Sequence, residues 1–161
     1  MKSKLALVTG SFDPITVGHL DIIKRASKIF DRVIVVVAHN EEKTYMFSPS
    51  ERVAIAKKAV EEILNVSVEL CDGYVADFAV EHKADALVRG IRGAADVAYE
   101  QNMAGINFAN SGVDTVMLFA KEEYHEISST AVRKAIANGF EINALVPQKA
   151  AELALALYRK K

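Results

Sequence analysis

Four basic side chains, His19, Lys43, Arg89 and Arg92, fall in or beside loops that also carry glycines and hydroxyls. His19 closes the stretch Thr9-Gly10-Ser11-Phe12-Asp13-Pro14-Ile15-Thr16-Val17-Gly18-His19, which joins an apolar run to an amphipathic one. Arg89 and Arg92 sit in Arg89-Gly90-Ile91-Arg92-Gly93, and Ile127-Ser128-Ser129-Thr130 opens a further amphipathic run. Glycines let backbone approach a ligand closely, and the first turn of a helix offers free N–H groups at the positive end of its dipole. Such loops are suited to phosphate, with arginine as a planar fork and lysine as a mobile point charge. The first loop has neither G-x-G-x-x-G nor G-x-x-x-x-G-K-[ST], which excludes the dinucleotide fold's fingerprint and the P-loop.

The elements that must position these loops follow from periodicity. Leu5 to Val8 reads as a short buried strand, and Leu20, Ile22, Ile23, Ala26, Ile29 and Phe30 recur at helical spacing after it. Val33 to Ala38 is almost entirely β-branched and is expected to be the central strand. Ser48-Pro49-Ser50-Glu51 caps a helix from about Pro49 to Leu64, with Val53, Ala56, Val60, Ile63 and Leu64 on its apolar face. Val66 to Leu70 alternates, as a half-exposed edge strand does. A short helix over Tyr74 to His82, a strand at Ala86 to Val88, a polar helix from Ala94 to about Asn110 and a strand at Thr115 to Phe119 follow. After the charged loop Lys121 to Glu126 come a helix from Ser128 to about Asn138, stopped by Gly139, and a last helix from Pro147. Five strands alternating with helices imply a Rossmann-like, doubly wound parallel sheet with helices on both faces. The loops after its first, fourth and fifth strands should converge.

With 161 residues and 51% hydrophobic side chains, the chain fits one domain spanning residues 1–161 with a sizeable core. Twenty basic against 21 acidic groups leave a net charge of -1, which argues against a nucleic-acid or membrane-surface partner. The single cysteine, Cys71, excludes an internal disulfide and reads as a small apolar filler; no ligand spacing marks a metal site. No signal peptide or spanning segment is expected, and the reading is of a cytoplasmic protein.

Thr16-Val17-Gly18-His19 resembles the [HT]-x-G-H signature of the nucleotidyltransferase superfamily, whose members attack the α-phosphorus of a nucleoside triphosphate. A fuller resemblance runs through nearly the whole chain. GSFDPITVGHLDII, the segment from Lys43 to Phe47 before SPSERV, LVRGIRGAADVAYE and ISSTAVRK are similar, in order and spacing, to the blocks of the phosphopantetheine adenylyltransferase family. The sequence departs from common choices of that family at Thr9, Val17, Tyr45, Gly93 and Tyr124, and lacks its usual proline between Asn107 and Thr115. None of these changes removes a charged group.

The resemblance implies ATP and 4'-phosphopantetheine as substrates, Mg²⁺ as cofactor, a homohexamer, and feedback binding of coenzyme A. It implies a catalytic set of His19, Lys43 and Arg92, with His19 donating to the α-phosphate. Acceptor contacts carried over are Ser11, Lys43, Val75, Arg89 and Asn107. The ATP side would comprise Ser11, Phe12, His19, Gly90, Ile91, Arg92, Glu100 and the segment Tyr124, His125, Glu126, Ile127, Ser128, Ser129 and Thr130. Without the resemblance, Lys43 would read as a solvated lysine, Ser128 to Thr130 as a plain helix cap and Glu100 as a helix-surface charge. Asp13-Pro14 is assigned to turn structure rather than chemistry. Two other functions share the first motif or its binding chemistry: transfer to nicotinate mononucleotide or, with CTP, glycerol phosphate, and a regulator that binds ATP without turning it over.

Overall fold

The computed structural model describes residues 2–161. Strands β1 (Leu5–Gly10), β2 (Arg32–Ala38), β3 (Val66–Cys71), β4 (Ala86–Ile91) and β5 (Thr115–Phe119) form one parallel sheet in the order β3-β2-β1-β4-β5. Helices α1 (Val17–Ile29), α2 (Pro49–Val60), α3 (Val75–Glu81), α4 (Ala94–Ser111), α5 (Ser129–Ala137) and α6 (Gln148–Tyr158) complete it. The central strand is β1, not β2 as the β-branched run Val33 to Ala38 led us to expect. Both strands are buried on both faces, so composition could not separate them. Topology does: the chain adds β2 and β3 on one side of β1, then crosses to add β4 and β5 on the other. The reversal of direction lies between β1 and β4, where open α/β sheets place their ligands.

Alternation along β1 divides the core. Ala6 and Val8 face a large cluster with Ile22, Ile23 and Ala26 of α1, Ile55 and Ala56 of α2, Val132 and Ile136 of α5, and Ala150, Ala151 and Ala154 of α6. Leu5 and Leu7 face a smaller one with Ile34, Val36, Leu87 and Ala79 of α3. Each fully buried Val, Ile or Leu contributes about 1.5–3 kcal/mol, so most of the apolar stabilisation lies on the first face. On the second, α4 buries only Glu100 and leaves Val97, Tyr99, Ile106 and Phe108 exposed.

Two details of α2 differ from the sequence reading. The helix ends at Val60, and Leu64 beyond it is fully exposed. Its inward face is Arg52, Ile55, Ala56 and Val60, so an arginine occupies a core position. The segment expected as a charged loop contains a 3-10 turn at Glu122–Tyr124.

Candidate active site

The carboxyl ends of β1, β4 and β5 and the start of α5 surround a cavity of about 790 Å³. Its floor is the loop after β1, whose conformation is fixed from several sides. Phe12 adopts a left-handed φ of 48° and tucks its ring under Gly10, where a Cβ would come within 3.1 Å of that ring. The buried Asp13 carboxylate accepts the N–H groups of Met46 (2.8 Å) and Phe47 (2.9 Å), a structural role as the turn reading held. Arg133 donates to the Asp13 carbonyl (2.8 Å), and Ser129 Oγ to the Pro14 carbonyl (2.8 Å).

This loop delivers His19 at the third position of α1 in a reciprocal cap. The His19 N–H donates to Thr16 Oγ1 (3.2 Å), and the Thr16 N–H donates to His19 Nδ1 (3.0 Å). Because Nδ1 accepts, the neutral ring carries its proton on Nε2. Burial, then Arg89 and then Arg92, push the imidazole pKa down to about 4. Phe12 packs edge-on against the ring, with centroids 5.0 Å apart. At neutral pH His19 is therefore an oriented, uncharged N–H donor on the cavity wall. A group so placed can stabilise negative charge developing on a phosphoryl oxygen without giving up its proton.

Arg89 reaches the cavity from β4. Its Nε and Nη2 donate to both oxygens of Glu100 (2.7 and 2.6 Å), and Nη1 donates to the Thr9 carbonyl. Burial opposes the charge, but the Glu100 hydrogen bonds and carboxylate outweigh it and the Arg89 pKa shifts upward. Glu100 is 6% exposed, so it is no helix-surface charge; its carboxylate is committed to Arg89. Close approach of α1 to β4 depends on Gly90, where a Cβ would lie 3.0 Å from Ile22. Arg92 binds Asp96 through its backbone N–H (2.9 Å) and Nε (3.4 Å) and extends Nη1 to the Ile127 carbonyl (3.5 Å), joining the loops after β4 and β5.

The other expected contacts divide. Ser11, Lys43, Val75, Asn107, Tyr124, Ile127, Ser128, Ser129 and Thr130 all border the same cavity. Ile91, His125 and Glu126 do not. Ile91 is buried in β4 with its carbonyl taken by the Ala120 N–H (2.8 Å), while His125 and Glu126 are exposed and His125 Nε2 lies 3.2 Å from the Ala120 carbonyl. At the start of α5, Ser128 Oγ accepts the Ala131 N–H (3.1 Å), and the Ser129 hydroxyl proton is spent on Pro14. A phosphate there would meet Ser129 through its backbone N–H rather than its hydroxyl.

Sequence reasoning missed two arginines. Arg133 borders the cavity and donates to Thr130 Oγ1 (3.2 Å); its position three residues after Thr130 was the signal. Arg52 is fully buried beneath the loop. Its signal was its spacing from Ile55 and Ala56, masked by its charge.

A family model described as cytidylyltransferase-like matches residues 7–135. The chain therefore belongs to the cytidylyltransferase-like family, a class of nucleotidyltransferases, as the sheet order and the His19 loop lead one to expect. Within it the curated relatives are narrower in kind. A phosphopantetheine adenylyltransferase of Cutibacterium acnes is 47% identical over 142 residues, covering 88% of this chain and 90% of that one. One of Bdellovibrio bacteriovorus is 40% identical over 151 residues, covering 93% and 94%. The chain belongs with these phosphopantetheine adenylyltransferases. A crystal structure described as a putative nicotinate-nucleotide adenylyltransferase from Vibrio parahaemolyticus superposes with a TM-score of 0.68 over 96% of this chain and 99% of that one. At 17% identity that likeness shows the fold alone.

Proposed function

We propose that the chain transfers AMP from ATP to 4'-phosphopantetheine, giving dephospho-coenzyme A and pyrophosphate in coenzyme A synthesis. The observation that carries this reading is the preset Nε2–H donor of His19 facing a cavity that Arg89 and Lys43 also border, in a chain 47% identical to an enzyme of that name. A phosphate monoester acceptor is close to a dianion at neutral pH, its second pKa being about 6, so no general base is needed to make it nucleophilic. An acceptor oxygen forms a bond to the α-phosphorus as the bond to the bridging β-phosphate oxygen breaks, and pyrophosphate leaves with that electron pair. Arg89 and Lys43 hold the acceptor phosphate, His19 and Arg92 meet the charge on the transferring phosphoryl group, and the N–H groups at the start of α5 hold the leaving phosphates.

Mg²⁺ would accompany ATP. Among the described residues no three His, Cys, Asp or Glu side chains gather closely enough to hold an ion, so no protein site for it is assigned and no step is derived through it. Coenzyme A is proposed as a feedback ligand and the cytoplasm as the location; no helix among the described residues is long and apolar enough to cross a membrane. A homo-oligomer, a hexamer in the family's manner, would cover the exposed Val97, Tyr99, Ile106 and Phe108 of α4.

Pyrophosphate release measured with a panel of acceptors tests the reaction. Turnover with phosphopantetheine, and none with nicotinate mononucleotide or glycerol phosphate, is expected. Turnover with either alternative alone, or ATP binding without turnover on any acceptor, would overturn it.

A further inference from the structure

The segment between β2 and α2 brings Lys43 to the cavity, yet Asn40, Glu41, Glu42, Lys43 and Thr44 are all exposed. Such a loop has little apolar contact to define its position, and its order must come from specific anchors. At its far end Met46 and Phe47 are held by Asp13. At its near end the anchor is Arg52. This side chain is fully buried and spends its guanidinium on three acceptors: the Ser11 carbonyl (2.7 Å), the Ala38 carbonyl (2.9 Å) and His39 Nδ1 (2.9 Å). Its Cζ also lies 4.0 Å from the centre of the Tyr45 ring, which in turn stands against His39 with centroids 5.3 Å apart.

The chain of contacts continues to the lysine. The Tyr45 hydroxyl oxygen accepts the Asn40 N–H (3.1 Å), and the Asn40 carbonyl accepts the Lys43 N–H (3.0 Å). Arg52 thus connects the carbonyl of Ser11, in the loop that carries His19, to the turn that carries Lys43. A buried guanidinium is costly unless it is well satisfied, and here no carboxylate forms a direct ion pair with it; a leucine would fill the core position on α2 more cheaply. What arginine alone supplies is a rigid planar fork reaching two strand ends and an aromatic face at once.

We infer that Arg52 is a positioning residue for the acceptor side of the site, setting Lys43 against the Ser11 loop through His39, Tyr45 and Asn40. The inference rests on the adenylyl-transfer reading only for its kinetic consequence. Lysine at position 52 keeps the charge but cannot span the same acceptors.

The test has two arms. Hydrogen exchange in Arg52→Lys should be about tenfold faster at the Asn40 and Lys43 amides, with the amides of β2 and α2 unchanged. Ile55→Val, a cavity on the same helix, should leave the two loop amides as in the wild type. In kinetics, Arg52→Lys should raise the phosphopantetheine KM about tenfold with kcat little changed, and Arg52→Lys combined with Lys43→Ala should be no worse than Lys43→Ala alone. Unchanged loop exchange, or KM increases that simply multiply, would overturn the proposal. Should Arg52→Lys not fold, Arg52→Leu, which fills the core position without the fork, must give the same exchange signature. If the wild type fails to turn over phosphopantetheine, the functional reading falls while the exchange arm still decides the role of Arg52.

Discussion

The two cations proposed to hold the acceptor phosphate border one cavity and are built in opposite ways. Arg89 is locked: its guanidinium is clamped by both oxygens of a buried carboxylate and by the Thr9 carbonyl, on the strand beside the central one. Lys43 is loose: it stands exposed on a loop whose order comes through Arg52 and Asp13. A locked fork fixes where a phosphate must sit and loses little freedom on binding. A loose ammonium can follow the phosphate as it moves toward the α-phosphorus, at the cost of being ordered each time.

The sharpest way to break this contrast is to truncate each in turn. Arg89→Ala leaves Glu100 buried without its partner, and losing one member of a buried pair costs about 3–5 kcal/mol. A markedly lower Tm is expected, together with a large rise in acceptor KM. Lys43→Ala should raise the same KM about tenfold and leave Tm unchanged, since nothing buried loses a partner. Replacing both Arg89 and Glu100 by apolar residues should recover much of the lost Tm without restoring acceptor binding. Equal melting temperatures for Arg89→Ala and Lys43→Ala would show that the pair with Glu100 does not anchor Arg89.

His19 shares the locked character of Arg89, but in the proposed reaction it meets the transferring phosphoryl group rather than the acceptor. Its donor is aimed in advance by Thr16, so its contribution should appear mainly in the transition state. His19→Ala is expected to lower kcat by about 10²–10³, as loss of one oxyanion-type donor does, with the ATP KM nearly unchanged. A matching rise in ATP KM with kcat preserved would make His19 a ground-state binding group instead.

What could be read from the sequence was what is local in the chain, whether locked or loose. The His19 loop could be read because its glycines, its strand before and its helix after all lie within a single local stretch. Even the ring's tautomer had a local trace, Thr16 standing three residues before His19 as a cap partner would. The pairing of Arg89 with Glu100 had none, because it joins a strand to a helix whose relative placement only the fold defines. For the same reason Ile91, His125 and Glu126 could not be separated from their neighbours, which do reach the cavity. The centrality of β1 escaped because two adjacent strands are equally buried, and the decisive fact is where the chain reverses direction. Arg52 was hidden by its own charge: at the spacing of Ile55 and Ala56 an apolar residue would have been assigned to the core at once.

The smallest effect expected follows from the low pKa of His19. In the unfolded chain this imidazole takes up a proton below its ordinary value of 6.5, but in the folded one only near 4. Between those values the unfolded state binds more protons, so this group's contribution to stability is full above about 6.5 and is lost as the pH falls toward 4. The wild type should therefore lose on the order of 1 kcal/mol more than His19→Ala when the unfolding free energy is compared at pH 7 and pH 5. The bound triphosphate reverses the local field, since its negative charge favours the imidazolium that Arg89 and Arg92 oppose, so ATP should flatten the same difference. Identical pH dependence in wild type and His19→Ala would mean that the ring is not held neutral by burial and the two arginines. Water would then reach the ring more freely than its packing against Phe12 implies, since burial is the larger cause of the shift and the two arginines the smaller.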